Sequence, residues 1–439
     1  MTPRIVFYCG RTIEEFAPPK LNETGIGGSE TAVVKIAERF ARDGWRVDVF
    51  TSAGRYEGEH DGVGYWEPSR LGPDERADVF VSWRQPKMEV GRRIGYVNVL
   101  WCHDLNSGSD EAGWHHVWDR VLGVSAYHRD HLTEVYGLPS DKVSYVPNGV
   151  SLDRFDPTIK KVKGRCVYAS SPDRGLLTLL RLWPRIIGNE KKPELHVAYG
   201  FDNIDKHIAS GRSDLAQFKD ECLSLIEKTP QVVFRGRLPQ DELARLYCES
   251  YALLNPGDFI ETSYIGAMEA MAGGCIPVTS SVGATKETVG DGGLVVWGPN
   301  RTRSNPYSPA WRDFFVHCAR GVLFEVNTRK ILESRARERA KSLTWDNSYE
   351  RHWKPLVEEL LGGTKEEPTP RERRRTRRAV AVAPAGLGVA ANEVRLVAGT
   401  NGRGPGLLGA GQPHDVEHLQ GAADELAPDF PPGRVAQGA

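Results

Sequence analysis

Several things are missing from this 439-residue chain, and each absence excludes something. No run approaches the roughly 18 apolar residues of a membrane-spanning helix, and the opening MTPRIVFYCG is too short for a signal-peptide core. The seven cysteines (Cys9, Cys102, Cys166, Cys222, Cys248, Cys275 and Cys318) are odd in number and scattered, with no C-x-x-C or Cys/His ligand spacing. That pattern argues for reduced thiols and against a structural zinc. Net charge is only -1, so nothing global draws the chain to nucleic acid or to a membrane. No D-x-D occurs, which removes the common aspartate clamp for a divalent ion. What is present, 40% hydrophobic and 26% charged residues over this length, is enough for two domains with sizeable cores.

The most informative stretch is Asn255 to Thr279, NPGDFIETSYIGAMEAMAGGCIPVT. It reads as a strand end, a polar loop, a helix and a second short strand. Pro256-Gly257 break the first strand, Thr262 or Ser263 is the expected N-cap, and Gly273-Gly274 end the helix. The helix start, Ser263, Tyr264 and Ile265, offers free backbone N–H groups and the positive end of a dipole, which suits a phosphate. Glu261 lies before it and Glu269 about two turns along, and Gly266, Ala267, Ala270 and Ala272 keep the helix thin.

Strands and helices alternate on both sides of this unit. Arg4 to Cys9 reads as a buried strand, Asn22 to Gly28 as a glycine-rich loop, Ser29 to Asp43 as a helix and Val47 to Phe50 as the next strand. Gly27-Gly28 at a helix start permits close approach of a diphosphate, or serves as a packing turn. A nicotinamide site would place an acidic residue at the end of the second strand, and this one ends Phe50-Thr51-Ser52, which disfavours a dehydrogenase. Further strands are expected at Val79 to Ser82, Tyr96 to Trp101, Val121 to Ser125 and Val143 to Pro147. Trp66, Trp83, Trp101, Trp114 and Trp118 are read as core.

A second set starts at CVYAS from Arg165, with a loop SPDRG and a helix Leu176 to Ile187. Leu195 to Tyr199, a long polar helix Ile204 to Lys228, Val232 to Arg235, a helix Gln240 to Glu249 and Tyr251 to Leu254 follow. After Gly293 to Trp297 come a polar insertion, Gly298 to Trp311, and helices from Arg312, Arg329 and Ser348. Such alternation predicts an α/β fold, two parallel sheets each covered on both faces. Beyond Gly362 an arginine run, Arg371 to Arg378, leads into a Gly/Pro/Ala-rich stretch expected to be a disordered tail.

Glu261, seven residues, Glu269 and then AMAGGCIPV resembles the EX7E motif of the GT4-type retaining glycosyltransferases of the GT-B fold. GGSETAVVKIAERFARDGWRVDVFTS is similar to that family's opening motif, WCHD to its donor-contacting histidine, SYVPNGVSLDRF to its interdomain segment, and RGRLPQDELARLYCESYALLNP to a segment that contacts the base. The resemblance implies two Rossmann-like domains facing a cleft, 1–155 on the acceptor side and 156–343 on the donor side. A helix at 344–361 would cross back to the first domain, and 362–439 would be the tail. It implies a retaining, metal-independent, front-face transfer of a sugar from a nucleoside diphosphate, UDP or GDP, to a hydroxyl acceptor such as a saccharide, a lipid-linked glycan or a small natural product. No further cofactor is implied.

By the same resemblance Glu261 and His103 carry the chemistry, and Gly27, Gly28, Arg174, Gly236, Arg237, Ser263, Tyr264, Ile265 and Glu269 bind the donor. The family's phosphate loop holds two cations. Here Arg174 takes one position and Ala169 the other, a departure that brings in a non-catalytic sugar-nucleotide scaffold as an alternative, beside an epimerase of the same architecture. A cytoplasmic protein is expected, with no nucleic-acid partner and at most peripheral contact with the inner membrane face.

Overall fold

The computed structural model describes residues 2–84, 86, 94–107, 114–297 and 308–363. Most of the polar insertion after Trp297, and the arginine run and tail beyond Gly363, lie outside the described residues. Eight strands from the first part of the chain form one sheet: β1 (Arg4–Gly10), β2 (Arg46–Thr51), β3 (Gly58–His60), β4 (Val63–Trp66), β5 (Ala77–Trp83), β6 (Gly95–Trp101), β7 (Arg120–Gly123) and β8 (Val143–Tyr145). Their order is β3-β4-β2-β1-β5-β6-β7-β8. Six more, β9 (Arg165–Tyr168), β10 (Glu194–Val197), β11 (Val232–Phe234), β12 (Ala252–Asn255), β13 (Ile276–Ser280) and β14 (Leu294–Val296), form a second sheet ordered β11-β10-β9-β12-β13-β14. Every pairing is parallel except β3 with β4.

Both sheets are buried on two faces, which is why their strands are nearly continuous apolar runs. Along β1 the side chains alternate between two cores, Ile5, Phe7 and Cys9 in one and Val6 and Tyr8 in the other. Along β9, Cys166 and Tyr168 enter one core and Val167 the other. The end of the described chain returns to the first sheet. Trp345, Tyr349, Trp353, Leu356 and Val357 sit in the same core as Phe7 and Phe40, with Trp353 fully buried. They are carried on Trp345–Ser348, a π-helical turn Tyr349–Trp353 and the helix Lys354–Gly363.

Strand order fixes where a ligand can lie. In the first sheet the chain runs outward from β1 to β2 and β4 and then restarts on the other side at β5; in the second the same reversal falls between β9 and β12. A parallel sheet opens a crevice beyond the carboxyl ends of its strands at such a reversal. The segments that leave β1, β9 and β12 hold Gly27-Gly28, Arg174 and Glu261.

Three local expectations are corrected. The polar stretch Ile204 to Lys228 is two helices, Asp202–Ala209 and Asp214–Lys228, interrupted at Gly211 with φ +103°. A short helix, Pro18–Glu23, covers the start of the segment read as a loop, with a proline in its first turn. Neither Thr262 nor Ser263 is the N-cap of the Ile265–Ala272 helix; Tyr264 occupies that position without a side-chain cap. The Thr262 hydroxyl is committed elsewhere, donating to the His103 carbonyl at 2.7 Å. None of the seven cysteines forms a disulfide, and Trp83, Trp101, Trp114 and Trp118 are buried while Trp66 is partly so. No helix among the described residues is long and apolar enough to cross a membrane.

Candidate functional site

On the second sheet, two loops leave adjacent strands and press together. Gly175 has φ +117°, and a Cβ there would lie 2.7 Å from Gly257 Cα, so only glycines let the SPDRG and NPGD loops approach this closely. Their contact brings Arg174 to Glu261: Arg174 Nη1 donates to Glu261 Oε1 at 3.3 Å, and the guanidinium lies over the Phe259 ring, 3.9 Å from its centroid. Burial pushes the Glu261 carboxyl up, and the positive charge of Arg174 partly offsets this. Arg174, Phe259, Glu261 and Tyr264 line one small cleft with Thr279 and Ser280. The Tyr264 hydroxyl is fixed behind it, accepting from Asn255 Nδ2 at 2.6 Å.

The Ile265–Ala272 helix is anchored from its far end. Lys161 Nζ donates to the carbonyls of Ser250 and Gly273 at 2.7 and 2.9 Å, and Arg337 donates to Ala272 and Gly273 at 3.3 and 3.1 Å. Two cations at its carboxyl end complement the dipole and hold its amino end in the crevice. There, among the described residues, the backbone amides of Ser263, Tyr264 and Gly266 meet no carbonyl.

The first half of the chain meets this amino end directly. A Cβ on Gly28 would come 3.1 Å from Ile265 Cδ1, so the start of the Gly28–Arg42 helix faces the start of the Ile265–Ala272 helix. His103, just past the end of β6, is buried against Trp101 with ring centroids 4.5 Å apart. Among the described residues its Nε2 has no partner, and burial holds the imidazole well below its usual range, hence neutral. The bond from Thr262 to its carbonyl sets it beside the Glu261 loop. Arg237 also reaches the first half, donating to Glu14 at 3.3 Å and to the Gly25 carbonyl at 3.3 Å; Gly236, with φ +65°, shapes the turn before it.

Glu269 stands apart from Glu261. It lines a second depression with Thr31, Lys35, Arg154, Gln240 and Ile265, on the other flank of the same helix end. Burial lifts its carboxyl to about 7, with Arg154 pulling the other way, and among the described residues no group hydrogen-bonds it.

Residues 164–304, which include the whole Arg174–Glu261–Glu269 arrangement, match the family model described as "Glycosyl transferases group 1". This segment is therefore similar to the group 1 glycosyltransferases, and the chain has the GT-B fold of such enzymes. An uncharacterized glycosyltransferase of Methanocaldococcus jannaschii is 22% identical over 379 residues, 70% of this chain and 91% of the relative. Among solved structures, sucrose-phosphate synthase from Thermosynechococcus elongatus superposes with a TM-score of 0.62 at 16% identity, covering 82% of this chain and all of that one. HepE of Anabaena, in complex with UDP and glucose, gives 0.59 at 14% identity over 81% and 99% of the two chains. The matched segment marks the chain as a glycosyltransferase.

Other groups of this GT-B enzyme were not anticipated from its sequence. Arg84 directly follows β5 in a left-handed conformation, φ +68°, and stacks on Trp83. It donates to both oxygens of Asp104 at 2.6 and 2.8 Å and lies 3.6 Å from Glu30. The Glu30 carboxyl, itself raised by burial, leans over Gly27, where a Cβ would be 2.2 Å from Oε2. A carboxyl thus already shares the amide end expected to meet a diphosphate. The signal that could have found Arg84 and Asp104 is their place just beyond a parallel strand; for Phe259 it is a bulky aromatic in a polar loop. Among the described residues no three His, Cys, Asp or Glu side chains cluster as a metal site.

Proposed function

We propose that this enzyme moves a sugar from a nucleoside-diphosphate donor to an acceptor hydroxyl with retention of anomeric configuration, by front-face attack and without a metal ion. The observation that carries the reading is the meeting of two helix amino ends, Gly28 against Ile265, with the Arg174–Glu261 pair at one edge. A diphosphate there would lie among uncompensated amides with Arg174 alongside, so the charge that grows on the leaving group is met by fixed dipoles and one cation.

The two depressions flanking the helix end match the layout of a donor, with the sugar toward Glu261 and the ribose toward Glu269. In this reading His103, whose Nε2 has no partner among the described residues, hydrogen-bonds a sugar hydroxyl. Glu261 is tied to Arg174 and so is better suited to stabilise a cationic sugar than to attack it. The leaving phosphate oxygen takes the acceptor proton on the same face. Ser263, Tyr264, Gly27, Gly236 and Arg237 complete the donor side in this reading, and 1–155 and 156–343 are the acceptor and donor domains. The acceptor is a saccharide, a lipid-linked glycan or a small natural product.

Nuclear magnetic resonance of the product formed from UDP- or GDP-linked sugars tests the stereochemistry. The donor's anomeric configuration should persist, and turnover should survive EDTA unchanged. An inverted product would exclude the front-face mechanism.

A further inference from the structure

Phe259 is 42% exposed, a large apolar ring left open in a cleft otherwise lined by polar groups. Its visible engagement is the Arg174 guanidinium stacked 3.9 Å from its centroid. Arg174 is the only cation among the described residues lining that cleft. Two groups therefore hold it, and they hold it differently. Glu261 takes one N–H, through Nη1 at 3.3 Å, whereas the ring takes the face of the guanidinium and uses none of its in-plane donors. Among the described residues the remaining N–H groups of Arg174 have no hydrogen-bond partner.

We infer that Phe259 is a positioning residue for the transfer reaction: its ring holds Arg174 edge-on to the crevice, so the guanidinium keeps its donors for the donor's diphosphate and does not close bidentately onto Glu261. Without the ring, an arginine this close to a carboxylate gains most by forming the two-point pair, which spends the donors a diphosphate would use. An aliphatic residue fills the same space without the attraction, and tryptophan supplies a stronger one.

The inference rests on the proposed donor site, and calorimetric titration of UDP and of GDP into the full chain separates the two. Phe259→Leu should weaken diphosphate binding about fivefold, and Phe259→Trp should restore it. In the Arg174→Ala background Phe259→Leu should add nothing, because the ring acts only through the guanidinium. If Phe259→Leu binds as wild type while Arg174→Ala does not, the positioning role is wrong and the donor site stands. If Phe259→Leu weakens binding equally with Arg174 absent, the ring touches the ligand itself and the inference is again wrong. If Arg174→Ala binds as wild type, or wild type binds neither nucleotide, the donor site falls and the inference with it. Phe259 lies outside the four hydrophobic cores, so thermal melting should show all variants folded.

Discussion

The two glutamates of the site differ in what surrounds them, and their variants should differ in kind. Glu261 faces Arg174, so Glu261→Gln keeps the shape and a hydrogen-bond acceptor but loses the negative charge that would stabilise a cationic sugar. Turnover should fall on the order of 100-fold with donor affinity nearly unchanged, read from initial rates beside calorimetry. Glu269 has no such partner, and its carboxyl titrates near 7 against an ordinary 4.5. Below 4.5 both folded and unfolded chains carry the proton and its contribution to stability is complete. As pH rises toward 7 the unfolded chain ionises first, so that contribution is lost across this window. Urea unfolding at about pH 5 and about pH 8 should show the loss in wild type and a smaller one in Glu269→Gln. Ribose hydroxyls donate preferentially to the ionised form, so nucleotide binding should tighten as pH rises through 7.

Among elements, the contact between the SPDRG and NPGD loops decides whether Arg174 meets Glu261. Gly175→Ala places a methyl into Gly257 at a left-handed φ and should cost about 1–3 kcal/mol in chemical denaturation while displacing Arg174, so donor binding should weaken as well. The motif makes the glycine readable, but the partner loop appears only in three dimensions. The same division runs through the fold. The helix Gln240–Glu249 and the strand at Arg4 were legible because their apolar spacing and bounding residues agree with the tertiary outcome. The edge hairpin of β3 and β4 was not, since Gly58–His60 has no apolar alternation to announce a strand. Thr262 was misread as a cap because a carbonyl 159 residues away competes for its hydroxyl. Arg174, Glu261 and Glu269 could be picked out in one dimension; that Glu269 occupies its own depression while Arg84, Asp104 and Glu30 share another cluster depends on chain reversals no local pattern encodes.

Across the whole molecule, apart from the returning carboxyl-terminal segment and the Gly28–Ile265 contact, the two halves meet through specific polar contacts. Glu287, on the short helix Thr285–Val289 of the second half, accepts from the amides of Ala126 and Tyr127 at 2.9 and 3.1 Å, the first turn of the Ala126–Tyr136 helix of the first half. Ser125 caps the next amide, His128 N, at 3.0 Å, so Glu287 meets the donors that this cap leaves over. Thr262 on His103 and Arg237 on Glu14 add two more ties, and all three act only while the crevice is closed. The Glu287 carboxylate on two helix-end amides is solvent-exposed and so contributes about 1 kcal/mol. Glu287→Ala should therefore leave unfolding midpoints almost unchanged while shifting the balance toward an open molecule. Small-angle scattering should show a larger radius of gyration without donor, and saturating nucleotide should restore the compact value, because a ligand that binds both lips of the crevice selects the closed state. If the variant's scattering matches wild type with and without nucleotide, closure does not depend on this carboxylate.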